Sequence, residues 1–116
     1  MTVQMYGIAN CDTVKKARAF LTERGVDFHF NDYKKQGVPP ALLDAWVAAL
    51  GWERLLNRKG NTWRGLDASV QAGAADAAGA RRVMLEHASV IKRPVVVWAD
   101  GQTTVGFDAD DWAGRI

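Results

Sequence analysis

The sequence contains a single cysteine among its 116 residues. One cysteine can form neither a disulfide within the chain nor a cysteine-based zinc site, so a reducing, cytoplasmic setting is expected. No apolar run approaches the roughly 18 residues that a membrane span needs, and the first residues lead directly into a predicted strand. We therefore expect neither a membrane segment nor a signal peptide. A phosphate-binding glycine loop and a cluster of metal ligands are also lacking, so no nucleotide site and no metal site are predicted.

The chain also lacks a large excess of positive or negative residues. The chain has 15 lysines and arginines against 13 acidic residues, which gives a net charge of +2. This excess is too small to indicate nucleic-acid binding. The length suffices for one domain with a hydrophobic core and not for two, and we expect a monomer.

The pattern of the sequence changes at the one cysteine, Cys11. Residues 2–6 alternate polar and apolar, which predicts a strand. From Val14 onward, apolar residues recur three and four apart, which predicts an amphipathic helix that ends at Gly25. Cys11 is therefore expected in a strand-to-helix loop, at or just before the first helical turn. Free N–H groups and the helix dipole favour a thiolate there.

The neighbours of Cys11 act on such a thiolate in opposite directions. The carboxylate of Asp12 disfavours a second anion, whereas Lys15, about one turn on, favours it. A different interpretation is that Cys11 is buried and inert and packs as a small hydrophobe, which is the commoner role of a lone cysteine. The pattern around Cys11 leaves both interpretations open.

The rest of the chain alternates between β and helical signals. A second strand is predicted at residues 26–31, and with the first strand and helix it suggests a parallel βαβ unit. A break at 33–40 precedes a helix that begins at Pro40 and ends at Gly51. Next come a helical turn at 52–56, a basic loop at 57–65 and a loop that begins at residue 66. This last loop leads into a helix that is clearest from Ala77 to His87.

The final third returns to β structure. Residues 95–98 predict a strand covered on both faces, Asp100-Gly101 predicts a hairpin turn, and 103–105 predict the returning strand. A C-terminal helix within 107–116 would have Asp108 as its N-cap. This order predicts an α/β, thioredoxin-like fold, with a central mixed four-stranded sheet flanked by helices. We expect one domain over residues 1–116 with a helical insertion at about 38–90.

A local excess of positive charge lies in the basic stretch. Residues 52–65 carry a local charge of +3, from Arg54, Arg58, Lys59 and Arg64 against Glu53. The cluster is either a solvated face or an anion site, because an arginine fork matches carboxylate and oxyanion geometry. Spacing alone does not decide between the two.

Four stretches of the chain, in order, resemble one family. They are Tyr6–Ala17, Leu55–Gly60 with Thr62–Arg64, Ile91–Pro94, and Val105–Phe107. On these motifs the chain resembles the arsenate-reductase-like family of thioredoxin-fold proteins (ArsC), which includes glutaredoxin-linked arsenate reductases, the Spx transcription regulators and the YffB proteins. The resemblance is closest to the YffB proteins, through Asn10-Cys11-Asp12-Thr13 and the paired lysines that follow.

The resemblance implies roles for individual residues. Cys11 matches the nucleophilic cysteine of the family, and Arg58 and Arg93 match two arginines that surround it in arsenate reductases. Pro94 is expected to follow a cis peptide bond that faces the cysteine loop. Two guanidinium groups and a helix N-terminus around one sulfur would favour its thiolate.

Two departures from the family pattern narrow the function. Arsenate reductases carry a third arginine in the segment that here reads Val105-Gly106-Phe107, and this chain has no basic residue between Pro94 and Arg115. The loss of that charge-assisted contact, worth about 1.5–3 kcal/mol, argues against arsenate reduction. The Spx regulators often carry a Cys-x-x-Cys redox switch. In this chain Val14 occupies the position of the second cysteine of that motif.

The sequence therefore predicts a glutathione-dependent thiol reductase, or a related thiol-transfer oxidoreductase, with one nucleophilic cysteine and no bound cofactor. Glutathione is the expected co-substrate, the partner is a small or protein thiol or disulfide, and glutaredoxin is a further candidate partner. Asn10, Thr13, Lys15 and Pro94 are the candidate residues for binding glutathione or substrate. Two alternatives stay open: a glutathione- and glutaredoxin-linked arsenate reductase, and a non-catalytic Spx-like regulator that binds RNA polymerase.

Overall fold

The structure, a computed structural model, describes residues 2–116. The chain forms two compact units: the first comprises the residues up to Gln36 together with Arg93–Ile116, and the second is Gly37–Lys92. The second unit covers nearly the same residues as the predicted insertion at 38–90. That the whole chain acts as one domain stays a prediction.

The elements follow in chain order. They are β1 (Val3–Gly7), α1 (Asp12–Glu23), β2 (Phe28–Asp32), α2 (Tyr33–Gln36), α3 (Pro40–Leu50), α4 (Trp52–Leu55), α5 (Asn61–Arg64), α6 (Ala68–Gly73), α7 (Ala77–Glu86), a 3-10 turn (Ala88–Val90), β3 (Val95–Val97), β4 (Thr103–Val105) and α8 (Ala109–Ala113).

The first unit contains a four-stranded sheet in the order β2-β1-β3-β4. β1 and β2 are parallel and pair from Val3 opposite Phe28 to Gly7 opposite Asp32. β3 is antiparallel to β1, and β4 is antiparallel to β3. The sheet is therefore mixed, with helices flanking it. The predicted α/β, thioredoxin-like fold is confirmed.

The core of the first unit contains the apolar face of α1. That helix buries Val14, Ala17, Phe20 and Leu21, at the helical spacing seen in the sequence. Phe20 packs with Trp98, Phe107 and Trp112 in an aromatic cluster in which the described ring pairs meet edge to face. Because Phe20 is on α1 and Trp112 on α8, this cluster joins both helices to one face of the sheet.

Two helix ends and one hairpin follow the predicted local signals. After α1, Gly25 has φ 68°, and Val26 and Gly25 donate N–H bonds to Leu21 and Thr22, which is a Schellman motif. The Asp108 carboxylate accepts hydrogen bonds from the N–H groups of Asp110 and Asp111, as its predicted N-cap role requires. The turn between β3 and β4 lies at Asp100-Gly101, as its dipeptide predicts.

The second unit is helical. Leu43 and Trp46 of α3, Leu55 of α4, and Val83 and Met84 of α7 are buried. The Asp76 carboxylate caps α7 by accepting a 2.8 Å hydrogen bond from the N–H of Gly79. Within residues 2–116, no helix is long and apolar enough to cross a membrane.

Three segments predicted as breaks or loops contain helical turns instead. The break at 33–40 contains α2, because the Asp32 carboxylate accepts the N–H groups of Lys34 and Lys35, at 3.0 and 3.4 Å, and starts a turn. The loops at 57–65 and from residue 66 contain α5 and α6. The Gln71 side chain joins those two by donating a 2.8 Å hydrogen bond to the carbonyl of Trp63.

One further boundary differs from the prediction. β2 begins at Phe28 and not at Val26, because the N–H of Val26 is bonded back to the end of α1. Gly79 lies inside α7, where a Cβ atom would collide with the carbonyl of Gly73, so the missing side chain permits close contact of α6 and α7.

Candidate active site

Cys11 lies where the sequence predicts it. β1 ends at Gly7, and Cys11 is the N-cap residue of α1, with an extended backbone (φ −133°, ψ 126°). Its carbonyl accepts the N–H of Lys15 at 2.9 Å, the first hydrogen bond of the helix. The residue is half-buried.

The surroundings of Cys11 favour its thiolate. Burial raises the pKa of the Cys11 thiol, but the backbone N–H of Val14, the guanidinium of Arg93 and the backbone N–H of Thr13 together hold that pKa below its ordinary value. Val14 and Thr13 supply the free N–H groups of the first helical turn. A lowered pKa is expected of a reactive thiol rather than of an inert, buried one, and the role of Cys11 as a nucleophile stays a prediction.

Arg93 and Pro94 lie at the entrance to β3. The Arg93–Pro94 peptide bond is cis, as the resemblance implied. Arg93 is half-buried and Pro94 is buried. The carbonyl of Pro94 accepts the N–H of Gly106 at 2.9 Å, so the segment that lacks the third arginine lies directly against the cis-proline.

Tyr33 is a member of this site that the sequence analysis missed. It is 2% exposed, and its hydroxyl is hydrogen-bonded to the guanidinium of Arg93. Burial raises the pKa of Tyr33 far above its ordinary range, although Arg93 opposes the rise. A signal was available, because the carboxyl ends of two parallel strands meet at the same edge of a sheet. Tyr33 follows β2 directly, as the cysteine loop follows β1.

The loop that carries Cys11 is tied to the end of β2. The Asp32 carboxylate accepts a 3.3 Å hydrogen bond from the N–H of Ala9 with one oxygen, while the other accepts the N–H groups of Lys34 and Lys35. One side chain thus links the cysteine loop to the first turn of α2.

The other predicted residues divide into two groups. Asn10, in the loop, and Thr13 and Lys15, in the first turn of α1, are exposed beside Cys11, where a bound molecule could reach them. Arg58 belongs to the second unit, and its role beside Cys11 stays a prediction. Among residues 2–116, no group of three or more histidine, cysteine or acidic side chains could hold a metal ion.

Arg58 has well-defined surroundings within its own unit. Its guanidinium carbon lies 5.8 Å from the ring centroids of both Trp52 and Trp63, within cation–π range. It lines an open cleft of about 290 Å³ with Glu53, Leu56, Asn57, Lys59 and Lys92. The cleft is mainly positively charged, which suits an anionic group.

A mixed four-stranded sheet, a lone cysteine at the N-terminus of its first helix and a cis-proline before its third strand define a thioredoxin-fold protein with a single thiol. The sequence profile of the ArsC family matches residues 6–114. The chain belongs to the ArsC family.

Individual relatives agree with this assignment. A YffB protein of known structure is 44% identical, with a TM-score of 0.89 and 98% of each chain covered. The solution structure of an arsenate reductase (ArsC) related protein from Brucella melitensis is 46% identical, with a TM-score of 0.76 and coverage of 98% of this chain and 93% of that one. An uncharacterized protein of Haemophilus influenzae is 34% identical over 110 residues, 95% of each chain.

Proposed function

We propose that this protein is a glutathione-dependent thiol reductase that uses Cys11 as its only nucleophile. The observation that carries the proposal is the sulfur of Cys11 at the N-terminus of α1, hydrogen-bonded to the guanidinium of Arg93. A thiolate is the nucleophile in thiol–disulfide exchange, and this arrangement lowers the pKa of the Cys11 thiol. Family membership supports thiol chemistry at this position.

The proposed reaction has two exchange steps. The Cys11 thiolate attacks the glutathione sulfur of a mixed disulfide, the S–S bond breaks, and the substrate leaves as a thiolate that takes a proton from water. The thiolate of a second glutathione then attacks the Cys11–glutathione disulfide and releases Cys11 and oxidised glutathione. One disulfide is consumed and one is formed, so glutathione supplies the electrons that reduce the substrate.

Glutathione fits the charges near the thiol. Its two carboxylates match the cations available to it, Arg93 and Lys15 beside Cys11 and Arg58 in the second unit. We propose that Asn10 and Thr13 form hydrogen bonds with the bound glutathione. Pro94 is proposed to contact the glutathione beside the sulfur of Cys11. The proposed setting is the cytoplasm, where glutathione is abundant, and glutaredoxin is a candidate partner for the second step.

The proposal is tested with a fluorescent peptide that carries a glutathionyl mixed disulfide. The protein should release the peptide thiol in the presence of glutathione, and an acid quench during turnover should trap one glutathione per chain on Cys11. Oxidised glutathione should also protect Cys11 from alkylation. Release at the uncatalysed rate, with a thiol that titrates like free cysteine, would contradict the proposal and favour a binding protein of the Spx kind.

Replacing Arg93 by methionine should move the pH profile of Cys11 alkylation upward. The guanidinium favours the charged form of the sulfur, so its loss raises the pKa of Cys11, and less thiolate is present at pH 7. The alkylation rate at pH 7 should fall about two- to fivefold, since a partly solvated ion pair is worth up to about 1 kcal/mol and a thiolate of higher pKa is a somewhat better nucleophile. Iodoacetamide kinetics between pH 5 and 10 measure the profile.

The matched control is Arg24→Met, which removes an arginine of the same unit at the far end of α1. Arg24 stacks over Phe20, with 3.6 Å between its guanidinium carbon and the ring centroid. Its substitution should leave the alkylation profile of Cys11 unchanged. Equal shifts in both variants would show that Arg93 acts only through the net charge of the protein.

Arsenate reduction is the second candidate, and the relation to the arsenate-reductase-related protein of Brucella melitensis favours it. Against it stands the segment beside Pro94, where Val105, Gly106 and Phe107 provide no cation for the oxyanion. The test is arsenate turnover in the presence of glutathione and glutaredoxin. Turnover that requires Cys11 would favour this candidate over the reductase of thiol substrates.

A further inference from the structure

We propose that Tyr33 is a positioning residue of the thiol site, whose hydroxyl holds the guanidinium of Arg93 in the orientation that meets the sulfur of Cys11. The inference deepens the proposed function and rests on it for its biological meaning. The fixed orientation of Arg93 beside Cys11 can be tested without measuring turnover.

Arg93 connects Tyr33 to Cys11. Arg93 is hydrogen-bonded both to Cys11 and to Tyr33. A guanidinium is a rigid, planar fork of N–H donors, so a second partner on the same fork fixes the direction in which the remaining donors point. Arg93 donates to both partners, and the oxygen of Tyr33 accepts.

Tyr33 is held in place by the strands, by a carboxylate and by burial. Gly7 and Asp32 are paired as the last residues of β1 and β2, so Tyr33 begins its helix beside the start of the cysteine loop. The carboxylate of Asp32 bonds to Ala9 in that loop and to the two residues after Tyr33. The ring is buried, and a buried tyrosine has only two side-chain torsions to fix. The anchor of Arg93 is therefore rigid.

The Tyr33 hydroxyl is a neutral partner for Arg93. Because burial keeps the pKa of Tyr33 far above its ordinary range, the hydroxyl stays neutral at any pH at which the protein would work. A neutral acceptor orients Arg93 without becoming a second anion that competes with the thiolate for its charge. The charged residues within four positions of Cys11 in the chain are Asp12 and Lys15, and Asp32 bonds to the cysteine loop at Ala9; a substitution of Tyr33 leaves all three in place.

The test is Tyr33→Phe, which removes the hydroxyl and keeps the ring. The alkylation profile of Cys11 should move upward, with a loss of about twofold in rate at pH 7, because the hydrogen bond of Tyr33 acts on the sulfur only through Arg93. In the Arg93→Met background the same substitution should have no further effect, because Tyr33 acts through Arg93. The control is Tyr6→Phe, which removes the hydroxyl of the other tyrosine of the chain, on β1, and should leave the profile unchanged.

Two outcomes overturn the inference. One is a Tyr33→Phe profile that coincides with that of the wild type, and the other is an equal shift with and without Arg93. If Tyr33→Phe does not fold, NMR of the wild-type Arg93 side chain decides: separate, slowly exchanging Nη–H signals support a fixed fork, and averaged signals contradict it.

Failure of the proposed function looks different. If the wild type does not reduce the glutathionylated peptide but the Tyr33→Phe profile shifts as expected, the thiol reductase proposal fails and the positioning role stands. If the wild type turns over and the profile does not shift, the positioning role fails and the thiol reductase proposal stands.

Discussion

Replacing Cys11 by serine is expected to abolish reduction of a glutathionylated peptide and to leave the fold intact. The chain has one cysteine, so no second thiol can take over the attack. A serine hydroxyl is not ionised near neutral pH and does not exchange with a disulfide. Turnover should fall to the uncatalysed rate, and mass spectrometry should find no glutathione adduct. Release of the peptide thiol at the wild-type rate would contradict the assignment of Cys11.

The stability of the same variant separates loss of chemistry from loss of fold. Serine is among the preferred residues at a helix N-cap, and Cys11 occupies that position half-exposed. The free energy of unfolding at pH 7 should therefore stay within about 1 kcal/mol of the wild type. A larger loss would show that the sulfur is part of the packing and that the activity result reports a damaged fold.

The difference in folding stability between the wild type and Cys11→Ser should change with pH in one direction. The pKa of Cys11 is lower in the folded chain than its ordinary value, so the folded state binds fewer protons than the unfolded state between the two pKa values. This contribution to stability is fully present above the unfolded pKa of about 8.5 and is lost as the pH falls through the folded one. The stability of the wild type relative to Cys11→Ser should therefore rise from pH 6 to pH 9.

The parts of the fold and site that were predicted correctly depend on short stretches of sequence. The strand before Cys11, the amphipathic helix after it and the turn at Asp100-Gly101 each follow from periodicity or a dipeptide. The position of Cys11 at the N-cap of α1 follows from these same stretches. Local physics fixes these elements, so local sequence reveals them.

The parts that were missed depend on contacts between distant residues. The sequence pattern places Tyr33 in a break, because its helical turn depends on the Asp32 carboxylate and its hydroxyl matters only through Arg93, sixty positions away in the chain. The periodicity of a single stretch carries no information about such a contact. Arg93 itself came from the family resemblance and not from its neighbours in sequence.

Replacing Trp112 by alanine should give the largest loss of stability. Trp112 is 1% exposed, and its ring meets those of Phe107, Trp98 and Phe20 edge to face, with centroids 4.8, 5.0 and 6.0 Å away. Removing it leaves a cavity in the core of the first unit, and substitutions of this kind cost about 3–5 kcal/mol. That is a large fraction of the roughly 5–15 kcal/mol that stabilises a domain.

Guanidinium chloride unfolding followed by far-UV circular dichroism is the measurement, because fluorescence itself changes when one of five tryptophans is removed. The control on the same helix is Asp111→Ala, which breaks an exposed ion pair with Arg115, 2.8 Å between Oδ2 and Nε, and should cost no more than about 0.5 kcal/mol. A similar loss in both variants would mean that α8 is stabilised by its own turns. A large loss in Trp112→Ala alone supports the aromatic cluster as the contact that holds α8, and with it α1, against the sheet that carries the thiol.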